Sequence, residues 1–255
     1  MNRAADVRRR AALAAALALV AVGVGRGAHA ADAPAAVPAA AAGYATGPAS
    51  ADGIGKRYMG REIAAVMGWQ GSAWLERAER EQEERTDLLV AELALGPGMR
   101  VADIGAGTGY FTRRLARAIG PTGVVFAVDV QPEMIEQLAR LAVQEGRGAT
   151  LKPVLGAIDD VRLAPASIEL ALLVDVYHEL EFPREVMQSV VRALRPGGRV
   201  VLVEYRAEDP RVPIKRLHTM SVAQIRREMA VLPLLLERVV EPLPWQHIVV
   251  LRKRS

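Results

Sequence analysis

The sequence predicts an α/β fold: a doubly wound, mostly parallel seven-stranded sheet with an antiparallel closing edge strand and helices on both faces. Three observations carry this. From about residue 99, short apolar runs alternate with amphipathic helical stretches. The runs are apolar throughout, as in IELALLV at 168–174, which marks strands buried on both faces. The last two, LERVVEPL and WQHIVVLRKR, leave no room for a helix between them and so pair antiparallel.

Taken in order, the chain opens with Arg8-Arg9-Arg10, a fifteen-residue uncharged stretch from Ala11 to Gly25, then Arg26 and Ala28-His29-Ala30. A charged start, a short apolar middle and a small-x-small site predict a signal peptide over 1–30 and an exported, periplasmic protein. The stretch falls short of the ~20 apolar residues of a membrane span, so no transmembrane span is expected in the mature chain. The Arg run also permits the twin-arginine route, although the usual bulky residue after it is missing. Residues 31–52, rich in Ala, Pro and Gly, read as a linker. Residues 53–96 read as a helical cap, with Trp74–Leu95 as one helix carrying Glu76–Arg80 and Glu81–Arg85 pairs and ending at Gly96-Pro97-Gly98.

The α/β domain occupies 97–255. Strands are expected at 99–105, 123–130, near ATLKPVLG, at 168–178 and at 199–205, with helices over 111–120, 132–146 and 184–198 and from Ser221. Pro132 suits a first helical turn and Gly146 a helix end.

Composition narrows the chemistry. With no Cys, thiolate zinc sites, iron–sulfur clusters and cysteine nucleophiles are excluded. Residues 1–30 carry five of the 33 basic residues and one of the 29 acids, which leaves 28 of each sign in the rest. A neutral mature chain lacks the basic footprint of a nucleic-acid binder. The His residues are scattered without paired-ligand spacing, so no metal is expected.

The sharpest motif is Val101-Ala-Asp-Ile-Gly-Ala-Gly-Thr-Gly109, between a strand and a helix. Glycines there let the backbone turn tightly and approach a ligand, at the switch point where such sheets bind ligands. Asp129 ends the next strand, where an acid can accept both hydroxyls of a ribose. A dinucleotide site wants G-x-G-x-x-G; here the spacing is G-x-G-x-G, and Asp103 precedes the turn. That acid opposes a pyrophosphate and suits a cationic ligand.

VADIGAGTG with Asp129, the strand LLVDVYHEL and the ALRPGG turn before VVLVEY resemble a class I S-adenosylmethionine-dependent methyltransferase, a Rossmann-like fold. The resemblance implies that Gly105, Ala106, Gly107, Thr108 and Gly109 cradle the methionine end of the cofactor, S-adenosyl-L-methionine, with Asp103 near its amino group. It implies Asp129 on the ribose and Val130 and Gln131 beside the adenine. Ala157 occupies the usual place of an acid that accepts from the adenine, so Asp159 is expected to substitute. Asp175 is expected beside the cofactor, and Val176–Glu179 along the transfer pocket.

Methyl transfer needs alignment of nucleophile and methyl more than a set of catalytic groups, so the acceptor is less legible than the donor. A small-molecule or lipid-like acceptor, or a peptide, remains after the exclusions. His178 is the candidate base, with a pocket-lining role as its alternative. His218 reads as a helix-entry residue in a segment that often covers the acceptor site, and His247 as packing. Glu204, at a strand end, either faces the pocket or is solvated. Tyr58, Trp69 and Trp74 are candidates for a lid, and the run EREQEER (79–85) reads as a solvated helix face. A non-catalytic exported protein that binds or senses the same nucleoside is the alternative function.

Overall fold

The computed structural model describes residues 43–254; the leader expected over 1–30 and residues 31–42 of the linker lie outside the described residues. The described chain begins with a feature the sequence analysis lacked. Strands β1 (Tyr44–Thr46), β2 (Gly53–Tyr58) and β3 (Arg61–Ala64) form a small antiparallel sheet. The linker expected to run to 52 therefore contains a strand, and the helical cap expected from 53 opens with a hairpin. The turn between β2 and β3 is Met59-Gly60, both at positive φ (47° and 89°). Those signs belong to the hairpin turn usually built from Asn-Gly or Asp-Gly, and Met in the first position hides it.

The single helix expected over Trp74–Leu95 is three short ones: α1 (Ser72–Leu75), α2 (Arg80–Glu84) and α3 (Thr86–Glu92). Arg85 is left-handed at φ 49° and separates α2 from α3. The expected pairs along one helix face are replaced by pairs across elements. Glu76 binds Arg113 at 2.7 Å, and Glu81 binds Arg114 at 2.7 Å. An i,i+4 pair contributes only ~0.2–0.5 kcal/mol, so anchoring the segments on the next helix decides the path.

Beyond this point the element order follows expectation, although the strand expected over 168–178 ends at Val174 and Tyr177–Glu179 forms a 3-10 turn. β4 (Arg100–Ile104), α4 (Tyr110–Ile119), β5 (Val124–Asp129), α5 (Pro132–Gln144), β6 (Leu151–Leu155) and β7 (Ile168–Val174) alternate, followed by α6 (Pro183–Ala193) and β8 (Leu194–Tyr205). The helix expected to reach 198 stops at Ala193, and β8 starts with Leu194 instead of Arg199. Pro196 has no amide to continue a helix, and Gly197 takes φ 73°. α7 (Val222–Met229), capped by the Ser221 hydroxyl accepting from the Gln224 amide at 3.1 Å, precedes β9 (Leu234–Val240) and β10 (Gln246–Lys253).

The sheet order is β6-β5-β4-β7-β8-β10-β9. β4 to β8 pair in parallel, while β10 is antiparallel to both β8 and the edge strand β9. Alternate residues of β7 enter two different cores: Leu170 and Leu172 pack with α4, Ala171 and Leu173 with α6 and α7. Both faces are thus covered, which is why the run shows no polar alternation. The chain leaves β4 toward one edge and returns to β7 on the other side, opening a crevice past the carboxyl ends of the two strands. Among the described residues, no helix is long and apolar enough to cross a membrane.

Candidate active site

The crevice is a cavity of about 510 Å³, the size of a small-molecule site. Its floor is the glycine turn after β4. Gly105, Gly107 and Gly109 all have positive φ. A Cβ on Gly105 would lie 2.5 Å from a Val176 methyl, and one on Gly107 would lie 2.8 Å from Leu75. Backbone conformation therefore favours glycine at both positions, and at Gly105 the lack of space does as well. Ala106 and Thr108 line the cavity with Gly105 and Gly107. Gly109 does not, which corrects the expectation for it: it lies at the amino end of α4, against Leu138 and Leu141.

Asp103, buried at the end of β4, accepts the Thr112 hydroxyl at 2.6 Å and lines the cavity. Burial raises its pKa to about 6 despite that bond and the charge of Arg80. Asp129 accepts backbone amides on both oxygens, from Gly107 at 2.9 Å and Gln131 at 2.9 Å. The carboxylate is thereby oriented while each oxygen keeps a second lone pair. Burial raises its pKa against these bonds.

Val130 and Gln131 also line the cavity. Gln131 ties the preceding segment down: its Oε1 accepts the Trp69 amide at 2.7 Å and its Nε2 donates to the Met67 carbonyl at 3.1 Å. Of the lid candidates, Trp74 lines the cavity, half-exposed, with Arg77 stacked at 3.8 Å. Trp69 lies outside it. Tyr58 is fully buried against Tyr44 in the small sheet and is no lid.

Asp159 is exposed and does not line the cavity, whereas Ala157 and Asp160 do. The substitution expected for the missing acid therefore fails, because the bend after β6 turns Asp159 outward. Asp175 lines the cavity at φ 53°, accepts the Gln246 amide at 3.0 Å on Oδ2, and leaves Oδ1 buried without a partner. Burial, then Glu84 and Glu204, push its pKa well up. A glycine cradle, a ribose-compatible acid and two further acids, one with an orphaned oxygen, fit a cationic nucleoside such as S-adenosylmethionine.

The run 79–85 is not a solvated face throughout. Arg80 and Glu84 are buried, paired at 3.0 Å, and line the cavity. Arg80 also stacks on Tyr110 at 4.2 Å and donates to the Leu75 carbonyl at 2.9 Å. The Glu84-to-Arg80 spacing of one helical turn was readable in the sequence, but its burial was not.

In the same cavity, the structure gathers three side chains that the sequence left scattered. His178 Nε2 lies 3.1 Å from His218 Nδ1 and 3.7 Å from Glu179 Oε1, and His218 Nδ1 lies 3.1 Å from Glu179 Oε1. His178 Nδ1 meets Glu204 Oε2 at 2.6 Å. Glu204 is completely buried and also accepts the Tyr177 amide at 2.9 Å, so it is neither solvated nor a cavity wall. Burial alone would lower the His178 pKa, but Glu204 and Glu179 more than offset this and raise it to about 10. A raised pKa weighs against the general-base role expected of His178 while no ligand occupies the cavity. Burial opposes ionisation of Glu179 too, and bonds from His178 and His218 overcome it, bringing it to about 2. His218 is a site residue and not only a helix-entry residue. His247 packs as expected, fully buried with neither ring nitrogen paired.

Residues 102–202 match the family described as "Methyltransferase domain". Curated relatives include an arsenite methyltransferase from Halobacterium salinarum, 34% identical over 109 residues, covering 43% of this chain and 28% of that protein. A ubiquinone/menaquinone biosynthesis C-methyltransferase from Ectopseudomonas mendocina is 27% identical and covers 43% of each chain. The chain thus spans less than half the length of these relatives. Among solved structures, an S-adenosylmethionine-dependent methyltransferase from Aquifex aeolicus superposes with TM-score 0.69 at 19% identity, over 73% of this chain and 99% of that one. A [4+2]-cyclase, SpnF, shares the fold with TM-score 0.57 at 16% identity, over 67% of this chain and 80% of that one. The fold is the one these solved structures share, and residues 102–202 match the methyltransferase-domain family.

Proposed function

We propose that the protein is an S-adenosylmethionine-dependent methyltransferase acting on a small-molecule or lipid-like acceptor. One observation carries the reading: the glycine turn with Asp103 and Asp129 lines the same cavity as the polar cluster of His178, Glu179 and His218. The turn and its acids suit the donor, and the cluster offers polar groups to an acceptor. When bound, the donor supplies a sulfonium-activated methyl group. The chain's part is to align acceptor and methyl and to exclude water. Asp103 offers negative charge to a cationic donor above about pH 6, Asp175 offers a buried oxygen without a partner, Asp129 offers lone pairs to its ribose, and the segment held by Gln131 borders the cleft. The methyltransferase domain at 102–202 supports this over the binding-only alternative. With no Cys in the chain, the named arsenite activity of one relative lacks thiol ligands here.

Calorimetric titration with S-adenosylmethionine, S-adenosylhomocysteine and NAD tests the donor assignment. The first two are expected to bind and NAD is not. Absence of binding by both sulfur nucleosides overturns it. We also propose that residues 1–30 direct export to the periplasm; recovery of the uncleaved chain in the cytosol alone would contradict this.

A further inference from the structure

We propose that His178 Nε2, Glu179 Oε1 and His218 Nδ1 form a site for a divalent transition metal, with Zn²⁺ favoured by the donor set and one position open to the cavity. The three residues are close enough to share an ion. Bonds of about 2.0–2.1 Å in a tetrahedral set place neighbouring donor atoms roughly 3.3 Å apart. The three separations here are 3.1, 3.1 and 3.7 Å. An ion about 2.05 Å from all three atoms stands roughly 0.7 Å out of their plane, as the centre of a tetrahedron does.

The surroundings are those of metal ligands, whose far ends are held by other groups. His178 Nδ1 bonds the buried Glu204 carboxylate at 2.6 Å, and the Tyr177 amide holds that carboxylate in turn at 2.9 Å. Arg61 donates to the His178 carbonyl at 3.0 Å. Glu179 uses its second oxygen to accept the Met67 amide at 3.3 Å, which leaves Oε1 for the ion. Two imidazoles and a carboxylate without thiolate suit Zn²⁺ and its first-row neighbours, and are a poor match for Mg²⁺, which prefers oxygen. All three residues line the cavity, so the fourth position is available to an oxygen or nitrogen of whatever enters. An acceptor bearing a hydroxyl, carboxylate or amine would be oriented there. That role rests on the methyl-transfer reading; the metal binding does not.

The test uses the purified full chain, stripped with chelator and titrated with Zn²⁺ and separately with Mg²⁺. Bound metal is counted by mass spectrometry, and Co²⁺ replaces Zn²⁺ for visible spectroscopy. One equivalent of Zn²⁺, no comparable Mg²⁺ uptake and the intense visible bands of four-coordinate Co²⁺ are expected. His218→Ala and Glu179→Gln should each weaken Zn²⁺ binding at least 100-fold. Glu204→Gln, which does not touch the ion, should weaken it about 10–100-fold. His218 sits on a surface turn, so its variant is the one to read if circular dichroism shows the others unfolded. Failure to bind one equivalent, or unchanged affinity in His218→Ala, overturns the site and leaves a proton-held cluster. S-adenosylhomocysteine binding measured on the metal-free protein tells failure of the donor reading from failure of the metal site.

Discussion

Arg80 and Glu84 form a buried ion pair at 3.0 Å in the wall of the cavity, within a run that looks like a solvated helix face. Glu84 also accepts from Arg77 at 2.7 Å and from the Tyr205 hydroxyl at 3.3 Å. Removing one partner of such a pair leaves an uncompensated buried charge. Glu84→Ala should therefore cost about 3–5 kcal/mol in urea unfolding. Arg80→Met combined with Glu84→Leu should recover much of that loss. Equal losses in the single and double variants would show that the pair is not coupled.

Asp103 gives a pH dependence of defined sign. Its folded pKa of about 6 lies above the usual carboxylate value because of burial. The folded state therefore binds more protons than the unfolded state between about pH 4 and 6. Its contribution is fully favourable below that window and is lost as pH rises through about 6, at a cost of up to ~3 kcal/mol. Asp103→Asn should be more stable than wild type at pH 8 without donor and nearly equal at pH 4, while binding donor less tightly. Melting curves across that range check the slope; a parallel shift at all pH values would contradict it.

Gly105→Ala tests the cradle. The added methyl meets Val176 at 2.5 Å on a backbone of φ 69°, and the conformation alone costs about 1–2 kcal/mol. A loss of about 2 kcal/mol or more in chemical denaturation is expected, with donor affinity reduced at least tenfold.

Gln131→Ala should loosen the segment at Met67 to Trp69, which this side chain ties to the end of β5 by two hydrogen bonds, and leave the bond from the Met67 amide to Glu179 in place. Loss of these bonds is worth about 1–3 kcal/mol. Hydrogen exchange at the Trp69 amide should accelerate while the sheet amides stay protected. Unchanged exchange there would mean that other contacts hold the segment.

What the sequence made legible was local along the chain. The glycine turn, Asp103 and Asp129 sit within strand ends whose apolar runs declare them, and their side chains meet the cavity because the sheet order forces it. What stayed hidden depended on contacts between distant segments. His178 and His218 come together only when the turn at Arg216–His218 folds back over the end of β7. The hairpin at Met59-Gly60 lacked the usual turn residues. The segment 72–92 had helical propensity throughout, yet its charges chose partners on α4. Asp159 failed for a related reason: position along the chain predicted an acid near the adenine, while the bend after β6 decided which way it pointed.

The most direct measurement is the affinity of S-adenosylhomocysteine for the wild-type chain and for Asp129→Ala, with folding confirmed by circular dichroism. Asp129 orients two backbone amides of the cleft and offers the ribose its remaining lone pairs. The account predicts clear binding to wild type and a loss of at least 100-fold in the variant. Binding that survives the substitution in a folded protein would contradict the placement of the donor at the end of β5.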